Sequence, residues 1–425
     1  MKEIHIHCIG IGGIGLSALA QYYLHSDVCV TGSDVQTSKV TEMLESKGVT
    51  VFIGHSAAHI TSDITQIFYS PAIPETNVEL VAARALCIPT HTYPEGLGMI
   101  SKNKKTIAVS GTHGKTSTTA MVAHILETAG RSPTVIVGSL LAERGTNFIS
   151  GTSEVFVVEA CEFKRSFHEL SPFIVVITNI DNDHLDYYGN MENLVQAFKE
   201  LIQKVPESGY VILDKTLQYV HDICANVRAT IIDVSVQDTD FALRVPGAHM
   251  RSNARLAAQV GLLFGISLEE SKKILETFAG TWRRSEYKGV TENGAQVFDD
   301  YGHHPTEIRV TLAGFREKYP DKKIVCIFQP HLYSRTHLLF YDFARSFSDV
   351  DMLYIAPIYA AREQDEEIVS SEMLVDAIRQ QGIETYAFAG SELSSFKNMN
   401  EDTIIITLGA GEMNLVAEKI IDNNE

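Results

Sequence analysis

Residues 106–130 read "TIAVSGTHGKTSTTAMVAHILETAG", and the fold turns on how that corner is read. An apolar, strand-like run meets Gly111 and Gly114, and a helical pattern follows at once. The helix stops at Gly130, with Pro133 beyond it, a usual end signal. The common phosphate loop has four residues between its first glycine and Gly-Lys-Ser/Thr. Here Thr112 and His113 alone separate Gly111 from Gly114. The physics still holds for the shorter corner. Lys115 stands in the first helical turn, where a cation opposes the helix dipole. A bound phosphate removes that conflict, because backbone N–H groups cradle its oxygens and Lys115 neutralises them. Thr116 can offer a hydroxyl to Mg²⁺. Strand, turn, lysine, threonine and terminated helix agree on a nucleotide loop rather than a bare glycine turn.

Working outward, strands alternate with helical patterns almost everywhere. "EIHIHCIG", "VCVTGSD", "VTVFIG" and "ITQIFYS" precede the corner, and "VFVVEA", "IVVITNI" and "YVILD" follow it. A third block holds "AQVFDDYGHHP", "KIVCIFQP", "DMLYIAP" and "TIIITLGAG". Such alternation predicts βαβ units and mostly parallel sheets. The polar "SKNKK" and the segment "GTWRRSEYKG" mark the two boundaries, so three α/β domains are expected in the 425 residues.

Composition narrows the function classes. No apolar run reaches the roughly 18–20 residues of a membrane helix, and mean hydropathy is near zero. The N-terminal "MKEIHIHCIGIGG" alternates like a strand and runs into glycines, unlike a signal peptide. A cytoplasmic protein without a membrane partner is expected. The formal charge of −18 argues against a nucleic-acid partner; a small anionic substrate requires locally concentrated cations. Cys8, Cys29, Cys87, Cys161, Cys224 and Cys326 are scattered and form no CxxC, so they read as reduced, buried thiols.

A second glycine corner lies near the start. In "CIGIGGIGLSALAQYYL", Gly10, Gly12 and Gly15 have GxGxxG spacing between a strand and a helix, and Asp34 ends the next strand. Such glycines let a diphosphate approach the backbone, and a carboxylate at Asp34 can hold ribose hydroxyls. The pattern alone leaves three readings: NAD, another nucleotide, or a tight turn with no ligand. For a metal near the Lys115 loop, Glu159 ends "VFVVEA" and His184 follows "IVVITNI". In a parallel sheet both fall on the edge that carries the loop.

Together "IGIGGIGLSALA", "TGSD", "SPAIP", "SGTHGKTSTTAM", "VVEACEFKRSF", "TNIDNDHLDYYG", "GAHMRSNARLAA", "GTWRRSEYKG", "DDYGHHPTEI", "FQPHLYSRT" and "IYAARE" resemble the Mur ligase family over essentially the whole chain. Within that family they look like the alanine-adding type. The resemblance implies an α/β, three-domain Mur ligase architecture: a Rossmann-like UDP-sugar-binding domain over 1–102, a central P-loop ATPase-like domain over 103–284, and a Rossmann-like C-terminal, amino-acid-binding domain over 285–425. It implies ATP and Mg²⁺, with UDP-N-acetylmuramate and L-alanine as the other small-molecule partners. The implied reaction is amide formation through an acyl phosphate, in peptidoglycan precursor synthesis, by a monomer or weak homodimer.

Carried over residue by residue, the resemblance assigns ATP to Gly111, Thr112, His113, Gly114, Lys115, Thr116, Ser117, His249, Asn253, Arg284 and Asp300. It assigns the metal to Thr116, Glu159 and His184, and the UDP sugar to Gly10, Gly12, Gly13, Gly15, Asp34, Ser70 and Ser166. Tyr301, His303 and Arg335 fall in the amino-acid pocket, and Lys115, Arg284, His303 and Arg335 in the catalytic set. His303 and His304 are candidate bases. Four positions depart from the family's common residue: Leu332 for Arg, Met250 for Asn, Cys161 for an acidic residue, and Trp282 for Gly. A recycling ligase for a preformed peptide, an NAD-binding protein and a small-molecule kinase are the competing readings.

Overall fold

In the computed structural model, which describes residues 4–142, 144–237, 240–361, 363 and 368–422, the chain builds three sheets. Arg362, inside the quoted "IYAARE", lies outside the described residues. The chain divides into two compact units, one of residues 1–242 and 253–278, the other of 243–252 and 279–425.

The first unit carries two sheets. One is built from β1 (His5–Ile9), β2 (Cys29–Asp34), β3 (Thr50–Ile53), β4 (Gln66–Tyr69) and β5 (Thr90–Thr92), with helices α1 (Ile14–His25), α2 (Lys39–Ser46), α3 (Val78–Ala85) and α4 (Tyr93–Ser101). Its order is β3-β2-β1-β4-β5, and every pairing is parallel. The other holds β6 (Lys105–Ser110), β7 (Thr134–Leu141), β8 (Thr146–Ile149), β9 (Val155–Glu159), β10 (Ile174–Ile177), β11 (Tyr210–Leu213) and β12 (Thr230–Asp233). Its helices are α5 (Lys115–Thr128), α6 (Leu185–Tyr188), α7 (Met191–Gln203), α8 (Val220–Ile223), α10 (Leu268–Glu276) and, from Asn253 on, α9 (Ala248–Leu263), whose first residues through Ser252 belong to the second unit. The order β12-β11-β10-β6-β9-β7-β8 puts β6 between β9 and β10, so residues following all three meet at one edge. The β7–β8 hairpin is the antiparallel exception, one that the alternating pattern does not announce.

Helix formation follows the apolar spacing. In α7 the buried residues are Leu194, Ala197, Phe198, Leu201 and Ile202, a stripe at i, i+3, i+4, i+7 and i+8. Each large member contributes about 1.5–3 kcal/mol by leaving water. The two sheets of this unit share one continuous core, running from Ile6 and Leu19 to Phe156 and Phe198. A buried polar ladder reinforces the join. Gln21 on α1 donates to Asn147 Oδ1 on β8 at 2.9 Å, and Asn147 donates back to Ser17 Oγ at 3.1 Å and to the Ile14 carbonyl. Thr146 and Lys47 both donate to Gln21 Oε1.

The second unit holds β13 (Glu286–Val290), β14 (Gln296–Asp300), β15 (Lys323–Phe328), β16 (Met352–Ile355), β17 (Thr385–Ala387) and β18 (Thr403–Leu408). Its helices are α11 (Pro305–Lys318), α12 (Tyr333–Leu338), α13 (Phe340–Ala344), α14 (Ser371–Arg379), α15 (Leu393–Lys397) and α16 (Met413–Ile421). The order is β13-β14-β18-β15-β16-β17, parallel except for the β13–β14 pair. The cysteines correct the expectation of burial. Cys8 and Cys326 are buried, but Cys29, Cys87 and Cys161 are exposed and Cys224 is intermediate, and all six are unpaired. A strand end or a loop start leaves a thiol accessible even where the flanking run is apolar.

His7 on β1 is fully buried, with Nδ1 2.8 Å from Thr31 Oγ1 and Nε2 3.9 Å from Glu79 Oε1. Burial outweighs the nearby carboxylate and lowers its pKa from 6.5 to about 4. The unfolded chain therefore binds a proton between those values that the folded chain refuses, so stability falls as pH drops through that window. We expect His7→Asn to flatten the dependence of unfolding free energy on pH between 7 and 5, read by denaturant titration. An unchanged slope would contradict a neutral His7.

Candidate active site

The corner between β6 and α5 is pinned from the neighbouring strand. Gly111 has φ +136°, and a Cβ there would collide with Thr178 Oγ1 and with the Asn179 backbone just beyond β10. Gly114 has φ +81°, and its Cβ would fall 2.7 Å from Asn253 Oδ1. Asn179 clamps the loop: its Oδ1 accepts from the His113 N–H at 2.9 Å and its Nδ2 donates to the His113 carbonyl at 2.9 Å. Thr178 Oγ1 donates to the same carbonyl at 2.6 Å, and the His113 ring meets Asp181 at 3.0 Å. These clamps escaped the sequence reading, which used "TNIDNDH" for His184 alone; the polar run straight after an apolar strand was the available signal.

Most of the longer helices start on a side-chain cap that the two glycine corners lack, as do α16 and the short α6, α8, α12, α13 and α15. Helices α2, α3, α4, α7, α10 and α14 begin on Ser38, Asn77, Thr92, Asn190, Ser267 and Ser370, whose side chains each accept a backbone N–H. Helices α1 and α5 begin on Gly13 and Gly114, with no side-chain cap. Their first N–H groups and positive dipole ends are left for an anion.

Lys115 folds back over its own loop. Its Nζ donates to the Gly111 carbonyl at 2.6 Å, the Thr112 carbonyl at 2.9 Å and Glu162 Oε1 at 2.9 Å. Burial works against its charge, but Glu162 and, behind it, Cys161 and Glu159 together outweigh that and hold its pKa above the ordinary lysine value. Glu162 is a residue the motif reading passed over. His184 caps α6 with φ 55°, and its Nε2 lies 3.8 Å from Glu162 Oε1. Glu159 ends β9 beside the loop, and its Oε2 accepts the Gly138 N–H at 2.8 Å. Thr116 and Ser117 are buried in the first turn of α5. A hydroxyl, a carboxylate and an imidazole at one sheet edge make a mainly hard donor set that suits Mg²⁺ with phosphate.

The first glycine corner opens on a cavity of about 380 Å³. Gly13, Gly15, Ser70 and Ser166 line it, and so do Glu159 and Cys161. Gly10, with φ +83°, makes the turn, while Gly12 donates its N–H to Asp34 Oδ2 at 2.8 Å. Gly10, Gly12 and Asp34 shape the corner and are not among the lining residues. Tyr93 also lines the cavity, with its ring where a Gly15 Cβ would stand.

In the second unit, two adjacent arginines have different surroundings. Arg283 is buried and fully engaged: Nε meets Asp299 at 2.9 Å, and its other nitrogens donate to the Gly411 and Gly409 carbonyls. Arg284 lies over the Tyr301 ring at 5.2 Å and 3.6 Å from Glu307. Asp300 is buried and accepts the Ser285 and Gly302 N–H groups at 2.6 and 2.7 Å; burial raises its pKa despite Arg284. His303 Nδ1 is 3.1 Å from the Tyr301 carbonyl, and that contact requires a proton on Nδ1, making Nε2 the ring's acceptor. His304 is the α11 N-cap: its Nδ1 accepts the Thr306 N–H at 3.2 Å. Arg335 on α12 approaches His331 Nδ1 at 3.5 Å, and the His331 ring stands 5.7 Å from that of His303. His249 is buried, with its pKa pushed down to about 4 by burial. Its Nδ1 has no hydrogen-bond partner among the described residues. Arg284, Asp300, Tyr301 and His303 thus share one strand end, with Arg335 approaching through His331.

Family models described as Mur ligase family catalytic domain, Mur ligase middle domain, and Mur ligase glutamate ligase domain match residues 5–105, 109–253 and 283–411. A UDP-N-acetylmuramate–L-alanine ligase of Clostridium acetobutylicum is 39% identical over 447 aligned positions, covering 98% of this chain and 97% of the relative. One from Caldanaerobacter subterraneus is 38% identical, covering 100% and 98%. A solved UDP-N-acetylmuramate-alanine ligase from Thermotoga maritima matches with a TM-score of 0.82 at 27% identity, over 98% of both chains. A murein peptide ligase from Psychrobacter arcticus shares the fold, with a TM-score of 0.70 at 22% identity.

The Asn179 clamp gives a direct expectation. Asn179→Ala removes both hydrogen bonds to His113 and should weaken Mg·ADP binding about tenfold, the scale of one to two lost hydrogen bonds. Calorimetric titration of the folded variant measures it, and unchanged affinity would mean the clamp does not shape the loop.

Proposed function

The chain belongs to the Mur ligase family, and we propose that it is an ATP-dependent ligase joining L-alanine to the carboxylate of UDP-N-acetylmuramate. The observation that carries the reading is a shared wall. Residues 159–167 run from the Lys115 loop into the cavity of the first glycine corner: Glu162 bonds Lys115, while Glu159, Cys161 and Ser166 line the cavity. A sugar acid held there has its carboxylate brought to a terminal phosphate on the loop. The first glycine corner is then a UDP-diphosphate site, read with Ser70 and Ser166. The reaction belongs to peptidoglycan precursor synthesis in the cytoplasm, with the protein acting as a monomer or weak homodimer.

The chemistry follows from leaving groups. A carboxylate does not condense with an amine at neutral pH, since oxide leaves poorly. Transfer of the γ-phosphoryl group makes an acyl phosphate, and phosphate then leaves when the amine attacks. The protein's work is positioning and charge neutralisation. Lys115 and Arg284 offset charge on the phosphoryl oxygens. Thr116, Glu159 and His184 would hold Mg²⁺, which would supply the remaining charge neutralisation when bound. The loop N–H groups orient the phosphates, and His249 and Asn253 are assigned to the adenine side. The α-amino group has a pKa near 8 and must lose a proton to attack. His303 suits that task, with Nδ1 on the Tyr301 carbonyl and Nε2 as acceptor. His304, spent on capping α11, does not. Arg335 is assigned to the amino-acid carboxylate.

Three outcomes are expected. ADP release should require UDP-N-acetylmuramate and be fastest with L-alanine, ahead of glycine, L-serine and a preformed tripeptide; release without a new amide bond would refute the reading. Lys115→Ala should remain folded by circular dichroism and lose ADP release by at least tens-fold, as expected for a lost charge-assisted phosphate contact. Arg335→Ala should chiefly raise KM for the amino acid, and a change confined to the KM for ATP would displace the assigned pocket.

A further inference from the structure

One contact of Lys115 cannot persist through the proposed reaction. An ammonium has three N–H donors, and the Gly111 carbonyl, the Thr112 carbonyl and Glu162 take them at 2.6, 2.9 and 2.9 Å. A phosphate oxygen has to displace one of these acceptors. Two are neutral carbonyls of the loop itself. The third carries a full charge and is almost wholly enclosed, with 1% of the Glu162 side chain exposed against 13% for Lys115. A buried ammonium without a counter-charge is costly, so the nucleotide-free loop needs an anion at this point. Glu162 is well placed to be that anion, because its segment is held: Tyr188 donates its hydroxyl to the Glu162 carbonyl. His184 Nε2 faces the same carboxylate at 3.8 Å, so Glu162 keeps a polar neighbour when Lys115 turns away.

We propose that Glu162 is a positioning residue that occupies Lys115 in the nucleotide-free loop as a stand-in for phosphate, and that it competes with the nucleotide for the ammonium. The inference rests on reading the loop as the ATP site. Glu162 stabilises the empty loop and lowers nucleotide affinity by the same contact. Its removal therefore tightens binding, an effect opposite in sign to damage.

The test is calorimetric titration with a non-hydrolysable ATP analogue and Mg²⁺, on the full chain. Glu162→Gln keeps the shape and removes the charge. It should bind the analogue about tenfold more tightly, a modest share of the Coulomb interaction at this separation. Glu162→Asp, with its carboxylate drawn back, should fall between Gln and wild type. In a Lys115→Met background the Glu162→Gln change should have little effect, because the contested ammonium is gone. Equal or weaker binding by Glu162→Gln overturns the proposal. So does equal tightening in the Lys115→Met background, since that shows plain repulsion of phosphate by Glu162. Should Glu162→Gln fail to fold, the Asp variant carries the test, and binding no tighter than wild type overturns it. A wild-type chain that does not bind the analogue refutes the reading of the loop itself.

Discussion

Two strands of the central sheet, β6 and β10, end so close together that no side chain fits between them. The Thr178 hydroxyl occupies the space a Cβ at Gly111 would need. That crowding accounts for much of the site. It requires a glycine at the turn, brings Asn179 against the His113 backbone, and swings the chain into α5 with an uncapped N-terminus. Within the short spacing between Gly111 and Gly114 the His113 backbone is fastened to Asn179 and Thr178.

Electrostatics then separates scaffold from chemistry in a chain of formal charge −18. Arg283 is bound to Asp299 and to two glycine carbonyls, and it ties β13 and β14 to the loop after β18. Both guanidinium groups stand 5.2 Å from the Tyr301 ring, but the acidic contact of Arg284, one residue on, is a looser 3.6 Å to Glu307. A similar division appears in "YGHHP", where His304 serves helix α11 and His303 is poised by the Tyr301 carbonyl. Sequence neighbours of identical type thus have different work, set by which of them the backbone turns inward.

This explains what was legible beforehand. The two glycine corners, the alternation of strands and helices, and the strand-end position of Glu159 all depend on local periodicity and backbone freedom, which a sequence displays directly, whereas Asp300 came through the family resemblance. The clamps did not show. Asn179 and Glu162 act on residues about fifty to seventy positions away; the polar run after β10 marks Asn179 as a strand-end residue, but not that its partner is His113, and Glu162 carries no mark of Lys115. The two antiparallel pairs, β7–β8 and β13–β14, were missed for a related reason: a hairpin at a sheet edge has the same local pattern as a parallel strand. The cysteines show the limit from the other side, since apolar neighbours failed to predict which thiols reach solvent.

The amide ladder between α1 and β8 has a mechanical consequence. Gln21 and Asn147 interlock like the teeth of a key, and sliding α1 along the hairpin by one residue would strand both amides in an apolar interior. The hairpin strand β7 carries Gly138, which holds Glu159. The cavity at the first glycine corner and the Lys115 loop are therefore kept at one spacing by that interlock.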